Sequence, residues 1–119
     1  MNRDETFIRH MLDAIEQIET FLAGVPYEQF IVDAKTAFAV IKLIEILGEA
    51  ANHLSDGFKG THPEIPFAKI VGMRNQLIHQ YAEVDLETVW QVHQEHLGPL
   101  RNTLFELRGG RAPAILPEV

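Results

Sequence analysis

Arg74, Asn75, His79 and Tyr81 fall in one run, Met73-Arg74-Asn75-Gln76-Leu77-Ile78-His79-Gln80-Tyr81. An arginine is a fixed cation whose fork of donors grips a phosphate. A histidine is the side chain whose ordinary pKa suits proton transfer near neutrality. A phosphate grip beside a proton-transfer group is what metal-free cleavage of a phosphodiester requires. On a helix of about 3.6 residues per turn, Ile70, Val71, Leu77, Ile78 and Tyr81 all lie within about 60° of Arg74. The arginine therefore sits in the middle of an apolar stripe. An unpartnered cation there costs on the order of several kcal/mol, so it either meets a carboxylate or faces a cleft. Asn75 and His79 are one turn apart, which lets Asn75 hydrogen-bond the imidazole and fix its tautomer. Arg74 and His79 are offset by about 140° and share no face of one straight helix. They converge more easily on a phosphate near the helix end, or where two copies of the helix meet. The same spacing also fits a structural arrangement, with Arg74 paired to Glu45 or Glu49, His79 at a helix end and Tyr81 in the core.

The elements that must position these residues read as helices throughout. Phe7, Ile8, Met11, Leu12, Ile15, Ile18 and Leu22 recur at helical spacing and predict a first helix over 4–22, ended by Gly24 and Pro26. Residues 27–32 form a short turn. A second helix spans 33–54 with Asp33 as N-cap. Its polar residues Lys42, Glu45, Glu49, Asn52 and His53 share one sector, and the remaining arc is wider than one packed face needs. It is expected to be central, packed on two sides, with Gly48, Ala50 and Ala51 allowing a neighbouring backbone close. Residues 55–65, with Gly57, Gly60 and Pro63, read as a loop. Pro66 opens a third helix running to residue 81. Asp85 caps a fourth through 107, stopped by Gly109-Gly110. The expected fold class is all-α, an up-and-down bundle of four main helices plus short helical turns. A single domain over 1–108 is followed by a tail over 109–119.

Composition narrows the function. The chain has 119 residues, 46% hydrophobic and 23% charged, which is globular and long enough to bury a core. With no cysteine there is neither a disulfide framework nor a thiolate metal site. The start turns acidic at once, no apolar run could span a bilayer, and a cytoplasmic protein is expected. A net charge of −7 argues against broad electrostatic binding of nucleic acid but leaves room for a local cationic pocket. Lys69 and Arg101 are candidate helpers for such a pocket. His93 and His96 stand i, i+3 on the fourth helix, a metal-compatible spacing. They fall in the stripe of Val89, Leu100 and Leu107 and read as core or interface histidines. His10 reads as structural or exposed, His53 and His62 as isolated, and Trp90 as a packing residue. No cofactor loop is present.

The pattern Arg74, four residues, His79, one residue, Tyr81 resembles the R-x4-H-x-Y motif of HepT-like toxins in the HEPN superfamily. Asn75 matches the polar position that follows the arginine there. The resemblance extends over nearly the whole chain through Gly48-Glu49-Ala50, Pro66, Gly72-Met73 and the 85–90 start of the fourth helix. Phe67 departs from it, standing where the family often has tryptophan, a change confined to packing. The resemblance implies a homodimeric, HEPN-like, metal-independent endoribonuclease acting on RNA and not DNA. It implies the toxin half of a type VII toxin–antitoxin pair. Arg74 and His79 would be catalytic and Asn75 supporting. The antitoxin would be a minimal nucleotidyltransferase (MNT-type) that adds AMP to Tyr81, placing a phosphate beside Arg74. No metal or cofactor is expected. The alternative from another class is a non-catalytic helical partner of a nucleotidyltransferase, with Arg74 in a structural ion pair.

Overall fold

The computed structural model describes residues 3–79 and 85–107; the side chains of Ile78 and His79 are outside that description. All regular structure among the described residues is helical. The long helices are α1 (Arg3–Leu22), α3 (Ala34–Asn52) and α5 (Phe67–His79). A fourth long rod consists of α6 (Leu86–Gln91), a π turn (Val92–His96) and α7 (Leu97–Leu107). Two short helices, α2 (Tyr27–Phe30) and α4 (Asp56–Thr61), fill the connections. This is the all-α four-helix arrangement that the periodicity predicts.

Helix α1 buries Ile8, Met11, Leu12, Ile15, Ile18 and Leu22, the three-and-four spacing of one packed face. It ends at Gly24, whose φ of +73° is a left-handed conformation that costs glycine little. Asp33 then caps α3 by accepting from the Thr36 hydroxyl at 2.7 Å and the Thr36 backbone N–H at 3.2 Å. Both contacts hold its carboxyl below the usual range. Helix α3 is the central element, contacting α1 on one side and α5 on the other. Those two faces bury Val40, Ile41, Leu43, Ile44, Leu47 and Ala51 among others, while Phe38 and Ile46 carry the apolar arc onto the exposed outer face. α7 in turn rests on α1. Trp90 packs on Tyr27 and Phe30, tying α6 to α2. No described helix is long and apolar enough to cross a membrane.

Two expectations change. The predicted loop over 55–65 contains α4, because Ser55 accepts from Phe58 N–H and caps a helical turn before Pro63. Asp4 accepts from Ser55 N–H and hydroxyl, which lowers its pKa and staples α1 to this junction. The fourth helix is capped by Asp85 as predicted, but it is not regular. Leu97 N–H bonds to Val92 O, five residues back, which defines the π turn. Pro99 explains it: proline has no N–H for the carbonyl of residue 95 and its ring crowds that carbonyl, so the helix widens one turn earlier. The expected end of the third helix at Tyr81, and the tail over 109–119, lie outside the described residues.

Candidate active site at the α3–α5 seam

Helices α3 and α5 meet at Gly48. A Cβ there would overlap Arg74 Cβ, come within 2.8 Å of Arg74 Cγ and reach 3.2 Å from the Ile70 carbonyl. Glycine is therefore required for this approach, and the aliphatic stem of Arg74 lies directly on the α3 backbone. Ile70 and Leu77 are buried on either side of it, so the arginine does occupy the apolar stripe. Its side chain keeps 17% of its exposure, and Nη1 lies 3.2 Å from Glu49 Oε2. Of the two carboxylates suggested by the sequence, the partner is Glu49. Arg74 Nε is buried with no hydrogen-bond partner among the described residues.

Glu49 is itself half-exposed, and its other oxygen, Oε1, stands 3.0 Å from His53 Nε2. The His53 ring stacks on Phe7 of α1, with centroids 5.0 Å apart and planes 18° from parallel. The Arg3 guanidinium sits 5.6 Å over the opposite partner in that stack, Phe7. The expectation that His53 is isolated is thus wrong. It belongs to a connected set, Arg74–Glu49–His53–Phe7, drawn from three helices. The signal present in the sequence was the Glu49/His53 spacing of four residues; the contribution of Phe7 depends on how α1 crosses α3. His53 also borders a polar cleft of about 500 Å³ with Arg3, Asp4, Asn52, Ser55 and Asp56. His62 is not isolated either, lying 3.2 Å from Glu64 and against the Phe58 ring.

Asn75 is exposed on the flank of α5. His79 is the last residue of α5, and the expected Asn75–His79 contact, like Tyr81, lies outside what is described. Neither proposed helper cation reaches Arg74. Arg101 donates to Glu19 at 2.8 Å, bridging α7 to α1. Lys69 borders a different cavity, an apolar groove of about 350 Å³ between α5 and α7 floored by Leu47. His93 and His96 do not share a face, because the π turn inserts an extra residue into the register between them. His96 is exposed on the groove, whereas His93 lies against Trp90 with Nδ1 buried and unpaired. Burial lowers the His93 pKa, opposed by the nearby Glu19 carboxylate. His10 is exposed and meets Phe7 edge-on. Phe67, in place of the family's tryptophan, is buried against Phe58.

Comparison with known proteins agrees with this architecture. The family described as "Ribonuclease HepT-like" matches residues 11–107. The chain belongs to this HepT-like ribonuclease family. It is 39% identical over 102 residues to the "Probable ribonuclease HepT" of Thermococcus cleftensis, covering 86% of this chain and 93% of that protein. A protein of Methanocaldococcus jannaschii, named as a proposed RNase, is 36% identical over 87 residues, 73% of this chain and 72% of its own. One from Caldanaerobacter subterraneus subsp. tengcongensis, named likewise, is 28% identical over 107 residues, 90% and 96% of the two chains. No solved structure matches the chain.

Proposed function

We propose that the protein is a metal-independent endoribonuclease whose site is built around Arg74 and His79. The observation that carries the reading is the placement of Arg74: a guanidinium held in an apolar seam and delivered over Gly48 to the edge of that seam, beside the half-exposed Glu49. Arginine in a partly dry setting stabilises charge on phosphate oxygens strongly. The nucleophile is the ribose 2′-OH of the substrate itself. Its oxygen bonds to the adjacent phosphorus while the bond from phosphorus to the 5′ oxygen breaks. His79 takes the 2′ proton or supplies one to the leaving oxygen, and the products are a 2′,3′-cyclic phosphate and a 5′-OH end. Asn75, one turn before His79, orients the imidazole.

Two copies of the chain would divide the acid and base roles. Phe38 and Ile46 support such a homodimer: both are large, apolar and exposed on α3. They share the outer face of that helix with Glu49, beside the seam. A sedimentation experiment in which Phe38→Asp leaves the assembly unchanged would count against this face as the interface.

The biological role that fits is the toxin of a type VII pair, silenced when an MNT-type nucleotidyltransferase transfers AMP to Tyr81. Expression of the chain alone should arrest growth, and His79→Ala should relieve the arrest. Co-expression with the cognate nucleotidyltransferase should add adenylate mass to a peptide containing Tyr81. A toxic His79→Ala variant would overturn the catalytic reading, and an unmodified Tyr81 under co-expression would overturn the silencing step.

A further inference from the structure

Arg74 can be productive only if its guanidinium is aimed, and the atoms that aim it are on α3. The geometry points to Glu49 and His53 as positioning residues of the cleavage site, an inference that rests on the ribonuclease reading above. Gly48 fixes the stem of Arg74 against the α3 backbone, so the remaining freedom lies in the outer part of the side chain. Glu49 Oε2 restrains that part from one point, at Nη1. A single-point contact leaves Nη2 and the second hydrogen of Nη1 to grip two oxygens of a phosphate end-on, a bidentate mode that does not call on the buried Nε.

The carboxylate is restrained in turn. Its second oxygen is held by His53 Nε2, and the imidazole is clamped by Phe7. Phe7 belongs to α1, whose start is pinned to the α3–α4 junction by Asp4 and Ser55. Both oxygens of Glu49 are thus occupied by groups from two directions, which stops the carboxylate from rotating. The set is poorly suited to holding the fold together. Glu49 and His53 are 50% and 41% exposed in their side chains, and charges so open to water are screened. It is well suited to fixing the direction of one guanidinium.

The two roles differ in what they predict. Glu49 offsets part of the Arg74 charge, so replacing it by glutamine removes a negative group beside the RNA phosphate. Binding should then stay level or tighten while turnover falls, because the guanidinium is no longer aimed. Loss of a merely structural contact would weaken binding, turnover and thermal midpoint together.

The test uses the purified full chain, an RNA oligonucleotide for kcat and KM, and its 2′-deoxy counterpart for Kd. Glu49→Gln should lower kcat by about 10- to 100-fold, the usual cost of a small misplacement. Its Kd for the 2′-deoxy strand should be equal to or tighter than wild type, with an unchanged thermal midpoint. His53→Ala should lower kcat by about tenfold. His53→Gln, which keeps a donor for Glu49, should restore most of that loss. Wild-type kcat in Glu49→Gln, alongside full dependence on Arg74, overturns this inference and leaves the ribonuclease reading standing. A joint fall of kcat, affinity and thermal midpoint overturns it in favour of a structural pair. His53→Gln as slow as His53→Ala removes His53 from the set. Cleavage that survives Arg74→Ala overturns the ribonuclease site itself and this inference with it.

Discussion

Arg74 makes sense only when its stem and its head are considered separately. The stem behaves as a hydrophobic residue, packed on Gly48 between Ile70 and Leu77, while the head reaches the Glu49 carboxylate at the edge of the seam. That division was half legible in the sequence. The helical period alone places an arginine in an apolar stripe, and the expense of burying it demands a partner or a cleft. The choice of Glu49 over Glu45 was not legible, because it depends on where α5 crosses α3. His53 was missed for a similar reason: its stacking partner, Phe7, lies on another helix. The pairing of charges does not require a guanidinium, but a fork-shaped grip on phosphate does. Arg74→Lys should therefore keep the fold and the contact to Glu49 while losing about 10²-fold in kcat on RNA. Near-wild-type turnover of that variant would show that a point charge suffices.

At the level of elements, α3 is the part on which the site is built, and Gly48 is its most constrained position. Gly48→Ala forces its new Cβ onto Arg74 Cβ, an atom next to backbone that cannot swing aside. The helices must separate, at a cost of about 1–3 kcal/mol for an overpacked contact. Thermal denaturation should show the loss and an RNA assay should show reduced turnover; an unchanged midpoint would mean that α5 is not seated as described. The caps at Asp33 and Asp85 and the apolar period of α1 were readable because each is set by neighbours a few residues away. The π turn was not anticipated, although Pro99 carries the signal for it. With it, His93 lies against Trp90 and near Glu19 of α1, while His96 lines the groove. Burial is the larger influence on His93, and it depresses the pKa below the ordinary value near 6.5. The unfolded chain then binds this proton more readily than the folded one, so stability falls as the pH drops through about 6.5 and is regained above it. In chemical denaturation at successive pH values, His93→Gln should flatten this part of the profile. An identical slope in wild type and variant would assign it to another group.

Across the whole molecule, a chain of net charge −7 belongs to a ribonuclease family. Binding through a broad basic surface is not available to it, so recognition must be concentrated where a few donors meet the phosphate. Arg101, one of the two candidate helper cations, is already engaged with Glu19. The all-α class and the order of the long helices followed from hydrophobic period and breakers. The site did not follow from period alone: the motif resemblance supplied the roles of Arg74, Asn75, His79 and Tyr81, whereas the contributions of α1 and α3 join only through tertiary crossings that neither spacing nor motif encodes. The most direct measurement is cleavage of a defined RNA by the purified chain in the presence of a strong chelator, with the product ends identified. Wild type should cut without added metal and leave 2′,3′-cyclic phosphate and 5′-OH ends, and both Arg74→Ala and His79→Ala should be inactive while remaining helical. Cleavage that chelator abolishes, or that persists in both variants, would contradict the account.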